Sequence, residues 1–190
     1  LIKFTFLRIM LRRTKKILLA GFLLCFPFAA GAAVDCGPQS HEAALKNGLK
    51  VNQAHVFCGE WKNNAPKGFH SRPKGENPAT VKQFRVQDKP NAAGIYTGKW
   101  IHADSAGQEK FSTMFPDSCS AAQVLNSIAY AAAHQESCPS GAPSWSRCGK
   151  NRPETAGKDR TDYCGGSSPR FVIAFAPPQG GLINTAFPIR

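Results

Sequence analysis

The sequence predicts an α+β fold of antiparallel sheets with a few helices, stapled by disulfides. Three observations predict it. Segments rich in β-branched and aromatic residues alternate with Gly- and Pro-rich turns, which is the pattern of strands. One segment, 120–133, carries apolar residues at helical spacing. Six cysteines follow an N-terminal stretch that reads as a leader. At 190 residues, with 42% hydrophobic and 19% charged residues, the chain is long enough for one domain with a real core. This composition excludes a disordered chain or a fibre, and no internal repeat is present.

The leader comes first. Leu11–Lys16 is a basic cluster, Ile17–Ala30 is an apolar run, and the small residues Ala30, Gly31, Ala32 and Ala33 follow. Basic, apolar, small is the order of a secretory signal peptide. A membrane span needs about 20 apolar residues, more than this run supplies; a retained membrane anchor is the alternative. Cys25 lacks the small residues that precede a lipoprotein cysteine. The expected division is a signal peptide over 1–33 and one domain over 34–190. The expected destination is secreted or periplasmic, with no stable membrane association after cleavage. Residues 1–33 hold six basic residues and no acid, so the formal charge of +12 falls to +6 for the remainder. That excess favours polyanionic partners such as nucleic acid without identifying one.

The cysteines outside the leader are Cys36, Cys58, Cys119, Cys138, Cys148 and Cys164. An even number in an exported chain reads as a disulfide framework, and the sequence does not choose among the pairings. Zinc is the competing reading, but no two of the six stand in the close pair that structural zinc sites use. No metal site is expected, and no cofactor.

Along the domain, Ser40 followed by His41–Leu49 predicts a short helix with a Ser N-cap. Segment 55–78, rich in Gly, Pro and Asn, predicts loop. Val81–Val86 and Gly94–Ile101 predict strands, with Asp88–Ala93 as the turn between them. Ser120–Ala133 predicts the clearest helix: Val124, Leu125, Ile128 and Ala132 form an apolar stripe, and Ser120 with Gln123 makes a capping box. Segment 134–169 predicts a long disulfide-held loop. Phe171–Phe175 and Leu182–Phe187 predict a closing pair of strands.

Two histidines stand in unusual surroundings. His55 lies in QAHVFCGEW and His70 in KGFHSRPKG, both beside glycines and near Lys67, Arg72 and Lys74. Read alone, such histidines are most often hydrogen-bonded surface fillers. His41 on the first helix, His134 at the end of the long helix, where the dipole favours a cation, and His102 after a strand read as structural; His102 is the one that could also line a cleft.

The segments His55–Glu60 (HVFCGE) and Gly68–Pro73 (GFHSRP) resemble the paired-histidine signature of the bacterial EndoU nuclease family. Asn91–Trp100 (NAAGIYTGKW), Lys110–Ile128 (KFSTMFPDSCSAAQVLNSI) and Ile183–Ile189 (INTAFPI) resemble later segments of that family, in the same order. The resemblance implies an EndoU-like fold and an endoribonuclease that cleaves RNA by attack of the 2′-OH, giving a 2′,3′-cyclic phosphate and a 5′-hydroxyl. One group must take the 2′-OH proton, another must protonate the leaving oxygen, and histidine suits both. A cation must meet the developing charge. By resemblance His70 is the general base and His55 the general acid, the order of roles being less firmly set than the pair. Lys110 matches the catalytic lysine, with Lys99 as substitute, and Thr185 matches a closing threonine. Phe187 stands where many relatives carry tyrosine, so it keeps a stacking ring and lacks the hydroxyl. Ser112, Thr113, Arg72 and Lys74 complete the expected substrate contacts.

The family pattern is departed from at 134–169, which is longer and brings Cys138, Cys148 and Cys164, and at Cys119, where relatives often carry tryptophan. A bridge from Cys58 to this insertion would brace the first histidine loop. RNA is the expected substrate. A toxin role would add a cognate immunity protein as partner, and a scavenging role would not. Some animal relatives depend on manganese; metal independence is expected here. The alternatives are a catalytically inactive module binding RNA or another polyanion, and a cysteine-rich inhibitor or structural protein. DNA lacks the attacking hydroxyl.

Overall fold

The structure, a computed structural model, describes residues 34–37, 41–155 and 158–190. The leader segment and Ser40, the expected N-cap, lie outside these residues.

The first expected helix is instead a hairpin. β1 (Glu42–Ala44) pairs antiparallel with β2 (Lys50–Asn52). Between them Gly48 adopts φ +81° and the Asn47 side chain accepts the Leu49 N–H at 3.1 Å. So short a helix has little intrinsic stability, whereas Asn-Gly is among the strongest hairpin signals. Segment 55–78 is likewise more ordered than a loop. A π-helical turn spans Ala54–Cys58, and β3 (Glu60–Lys62) pairs with β4 (Ala65–Lys67). Asn63 and Asn64, both at positive φ, form the tight turn of that hairpin. A short 3-10 turn follows at Pro73–Gly75.

Next comes an antiparallel meander of β5 (Val81–Asp88), β6 (Tyr96–His102) and β7 (Glu109–Met114). The helix α1 spans Ala121–Ala133 with the expected capping box at Ser120 and Gln123. Within the insertion, β8 (Gln135–Glu136) and β9 (Arg147–Lys150) pair, and a 3-10 turn follows at Lys158–Asp162. The segment is therefore part sheet rather than one long loop. The chain closes with β10 (Val172–Phe175), β11 (Leu182–Ile183) and β12 (Ala186–Pro188). Leu182–Phe187 is not a single strand. β11 joins β2 in parallel, and β12 joins β10 in the four-stranded order β12-β10-β9-β8. The architecture is α+β, as the sequence predicts, with mostly antiparallel sheets.

Among the described residues, two apolar clusters form the interior. The larger gathers Val51, Val56, Phe57, Phe115, Val124, Ile128, Ile173 and Phe175 around α1 and the four-stranded sheet. Gly149 on β9 lets α1 come close, since a Cβ there would stand 2.3 Å from the Ala131 carbonyl oxygen. The smaller lies under the meander and comprises Phe69, Val81, Tyr96, Trp100 and Met114. His55 directly precedes the Val56–Phe57 anchor of the first cluster. His70 directly follows the Phe69 anchor of the second, so the two histidines meet where the clusters adjoin.

The disulfides are Cys36–Cys58, Cys119–Cys164 and Cys138–Cys148. Cys58 does not reach the insertion. It is buried at the end of the π-helical turn, in the larger cluster, where Cys36 packs beside it. The insertion's own Cys138 and Cys148 close the β8–β9 hairpin instead. Cys119–Cys164 ties the start of α1 to the segment before β10, across 45 residues of sequence.

Chain-entropy arguments value a cross-link by the loop it closes, about 4 kcal/mol for a loop as long as Cys119–Cys164 and about 3 kcal/mol for one as short as Cys138–Cys148. Urea unfolding of the two double-serine variants is expected to show the larger loss for Cys119→Ser/Cys164→Ser, which also opens the buried core. An equal or reversed order would show that the loops are already constrained in the unfolded chain.

Candidate active site

The local backbone explains why two histidines 15 residues apart in sequence come together. The π-helical turn is started by Asn52, whose Oδ1 accepts the His55 N–H at 3.1 Å. It ends at Gly59, at φ +72°. The second histidine segment then lies against it. Phe69 N–H donates to the His55 carbonyl at 2.6 Å, and His70 N–H and Ser71 N–H donate to the Val56 carbonyl at 2.7 and 3.1 Å. On the other side Phe115 N–H donates to the His70 carbonyl at 2.8 Å, joining the segment to the end of β7. Approach this close admits no side chain at Gly68, where a Cβ would stand 2.0 Å from the His55 carbonyl oxygen. Phe69 follows at φ +61°, a left-handed conformation that costs a non-glycine residue about 1–2 kcal/mol. Full burial of its ring, edge-on to Trp100 and Phe84, offsets that cost.

The two imidazoles stand with ring centroids 6.0 Å apart, and they are wired in opposite ways. His55 Nδ1–H donates to the Glu60 carboxylate at 2.6 Å. Glu60 also receives the Lys62 ammonium at 2.6 Å and the Asn52 amide at 3.4 Å. Burial alone would raise the Glu60 pKa; the hydrogen bonds from His55 and Lys62 outweigh it and hold the carboxyl at about 2. His55 thus has an ionised carboxylate on its Nδ1 side. His70 Nδ1–H instead donates to the Thr113 carbonyl at 3.0 Å. A carbonyl only accepts, so the proton sits on Nδ1 and Nε2 presents a lone pair. Burial, then the charges of Lys110 and His55, hold the His70 pKa well below the ordinary histidine value, against the weaker opposing effect of the Thr113 bond.

Lys110 on β7 lies within electrostatic reach of His70. Its ammonium donates to the Phe111 carbonyl and to Ser112 Oγ, both at 3.0 Å. Burial, with a contribution from Lys67, lowers its pKa to about 8, so it stays largely charged at neutral pH. Ser112 Oγ accepts from Lys110 and from Trp100 Nε1 at 3.1 Å and donates to the Gly68 carbonyl at 3.1 Å. Its hydroxyl is thus spent in fixing Lys110 to the histidine segment. Lys99, the substitute, pairs with Glu109 at 3.7 Å.

A cleft of about 440 Å³ opens beside His70, lined by Phe111, Ser112, Thr113 and Phe187 and, further out, by Thr97, Pro143 and Arg190. The Phe187 ring lies 5.2 Å from that of His70 at 31°. Thr185 lies between β11 and β12, half-buried, its carbonyl accepting the Ala176 N–H. The neighbouring Asn184 accepts from Asn52, which ties this corner to Glu60 and His55. Arg72 and Lys74 do not line this cleft. The Arg72 guanidinium lies over the Phe84 ring and donates to the Gly75 carbonyl. Lys74 sits in the exposed 3-10 turn, its N–H bonded to the Asp117 carbonyl. His102 is buried against Trp61 and Trp100, and its Nδ1 accepts the Asp104 N–H. His134 caps α1 and stacks on Tyr130. Among the described residues, no group of three or more His, Cys, Asp or Glu side chains gathers to hold a metal ion.

Sequence reasoning did not single out Glu60 or Asn52. Glu60 stood inside the quoted motif, five residues after His55; a carboxylate that close to a candidate histidine was the available signal. Asn52 gave none, because its partners are fixed by the tertiary fold.

A histidine pair of opposite wiring beside a half-buried lysine, on a disulfide-stapled α+β frame, is the equipment of a phosphodiester-cleaving enzyme. The chain belongs to the bacterial EndoU nuclease family, whose model matches residues 50–190. Membership makes it a nuclease and implies RNA as its substrate. No curated protein and no solved structure matches the chain.

Glu60 has a depressed pKa in the folded state, so its contribution to stability is present above about pH 4.5 and is lost as pH falls toward 2. Glu60→Gln is expected to lower stability at pH 7 and to flatten the loss of stability between pH 4.5 and 2, read from urea midpoints across that range. An unchanged acid limb would show that other carboxylates carry it.

Proposed function

We propose that the protein is an exported endoribonuclease that cleaves RNA by transesterification, with His70 as general base and His55 as general acid. The observation that carries this reading is the opposite wiring of the two imidazoles. Neutral His70, its proton held on Nδ1 by a carbonyl, has Nε2 free to take the 2′-OH proton. The 2′-oxygen then forms a bond to the adjacent phosphorus and the P–O5′ bond breaks. His55, oriented by Glu60 through Nδ1, gives its Nε2 proton to the departing 5′-oxygen. The products are a 2′,3′-cyclic phosphate and a 5′-hydroxyl. After each turnover the protons are on the opposite histidines and must exchange with solvent.

Lys110 supplies the positive charge for the phosphorane, and its partial burial strengthens that interaction relative to water. With the charge supplied by a side chain, the reaction is proposed to proceed without metal. Phe187 offers a face for the base at the cleft, Thr113 lines the same space, and Thr185 is the proposed phosphate or base contact at the β11–β12 corner. The leader read in residues 1–33 and the three disulfides support an oxidising destination, secreted or periplasmic. A toxin role, with an immunity protein guarding the producer, belongs to the same proposal.

The test is cleavage of a uridine-containing RNA by the oxidised protein in EDTA. Wild type is expected to leave cyclic-phosphate ends, and His55→Ala and His70→Ala are each expected to lose activity by on the order of 10²–10⁴. A folded wild type that binds RNA without cutting it, with or without manganese, would establish a binding module instead. Independently of turnover, NMR titration of His70 is expected to give a midpoint below 6.5, because burial and the Lys110 charge both disfavour the cation. Lys110→Met is expected to move that midpoint upward. A midpoint unmoved by the substitution would remove Lys110 from the neighbourhood assigned to it.

A further inference from the structure

The insertion carries a feature that the proposed reaction leaves unused. Cys138 and Cys148 close a loop between β8 and β9, and Trp145 stands on it with 51% of its surface exposed. The indole thus leaves about half of its surface open to a ligand. The loop is not slack. Apart from the disulfide, Ala142 N–H bonds to the Pro139 carbonyl, and the Ser146 N–H and hydroxyl both bond to the Pro143 carbonyl, at 2.9 and 2.7 Å. It therefore holds the indole in place.

That place continues the site. The Trp145 and Phe187 ring centroids are 6.1 Å apart, at 65°, and Phe187 in turn lies against His70. Rings thus run from the histidine pair through Phe187 to the surface of the insertion. Ser140, Gly141 and Pro143 of the same loop form one wall of the cleft that His70 and Phe187 line, and Arg190 lies on that cleft as well. Trp145 adjoins this cleft through its contact with Phe187 rather than lining it, and Asp88, bonded to Thr97, lines it together with Arg190. Adjacent aromatic rings beside a cleft are what a single strand of nucleic acid uses, because every unpaired base offers a face to stack.

We propose that the disulfide-closed loop 138–148 forms a second base subsite, in which Trp145 stacks on a nucleotide flanking the one held at Phe187. The proposal rests on the nuclease reading for its ligand, single-stranded RNA. It makes the insertion a determinant of substrate length: a dinucleotide reaches the histidines without using the loop, and a longer strand uses both.

The experiment measures binding of a 2′-deoxyuridine hexanucleotide, which lacks the attacking hydroxyl, beside the corresponding dinucleotide, by fluorescence anisotropy. Trp145→Ala is expected to weaken hexanucleotide binding about 10-fold, the scale of one base–aromatic stack, and dinucleotide binding by less than about twofold. Trp145→Phe is expected to restore most of the difference, and Cys138→Ser/Cys148→Ser to reproduce part of the loss by loosening the loop. Hexanucleotide binding that is absent in wild type, unchanged in Trp145→Ala, or weakened equally for both lengths would overturn the proposal. Cleavage of the all-ribose hexanucleotide is followed in parallel. Cleavage without Trp145 dependence of binding removes the subsite and leaves the nuclease reading; Trp145-dependent binding without cleavage does the reverse.

Discussion

The hydrogen bonds from Phe69 N–H to the His55 carbonyl and from His70 N–H to the Val56 carbonyl are the constraint on which the site depends. Each is worth only about 1 kcal/mol net, but Val56 and Phe69 are fully buried, so losing these bonds would leave buried polar groups unpaired. The rest of the local structure follows. Gly68 must lack a side chain, Phe69 must accept a left-handed backbone, and the turn before them must widen to a π-helical form to present both carbonyls. Irregular backbone of this kind persists where packing over-determines it. Here the packing is the two apolar clusters, one gripping Val56 and Phe57, the other Phe69.

Placing the histidines where the clusters adjoin also sorts their chemistry. Burial disfavours charge on His70, and the two rings differ in the partner of Nδ1. A carboxylate stands behind His55 and a neutral carbonyl behind His70. The same burial brings Lys110 toward neutrality without taking it there. His70 and Lys110 are thus both pushed toward their neutral forms, while His55 is set apart by its carboxylate partner.

Much of this was legible in the sequence, for reasons that differ by element. α1 announced itself by its stripe and its capping box, because both are local. β5 and β6 did so through branched and aromatic residues. Glu42–Ala44 read as helix because its alanines and glutamate favour one, while the partner that makes it a strand lies beyond the Asn47–Gly48 turn. β7 was not read as a strand, since Glu109, Lys110 and Ser112 dilute its branched and aromatic content and its pairing with β6 is a tertiary fact. The pairing of Cys58 with Cys36 rather than with the insertion was likewise a matter of which face the π-helical turn buries. The histidines, Lys110 and Phe187 were found through motif resemblance and are brought together by the fold. Arg72 and Lys74 were chosen for charge near His70, and charge in sequence does not say which way a side chain leaves a tight turn.

The pairing of β2 with β11 has a consequence for how the site comes into being. β2 leads directly into the His55 turn, yet its second neighbour in the sheet, after β1, arrives more than a hundred residues later, and the Asn52–Asn184 bond spans 132 residues. Contacts of such long range form late, after the local helix and meander. Phe187 and Thr185 travel on the same late segment. During synthesis the histidine turn therefore lacks the second of β2's sheet neighbours, its aromatic wall and its corner hydrogen bond until β11 and β12 have emerged. A chain made among ribosomes and messenger RNA thereby reaches its finished catalytic geometry only after nearly all of the sequence described here has been translated.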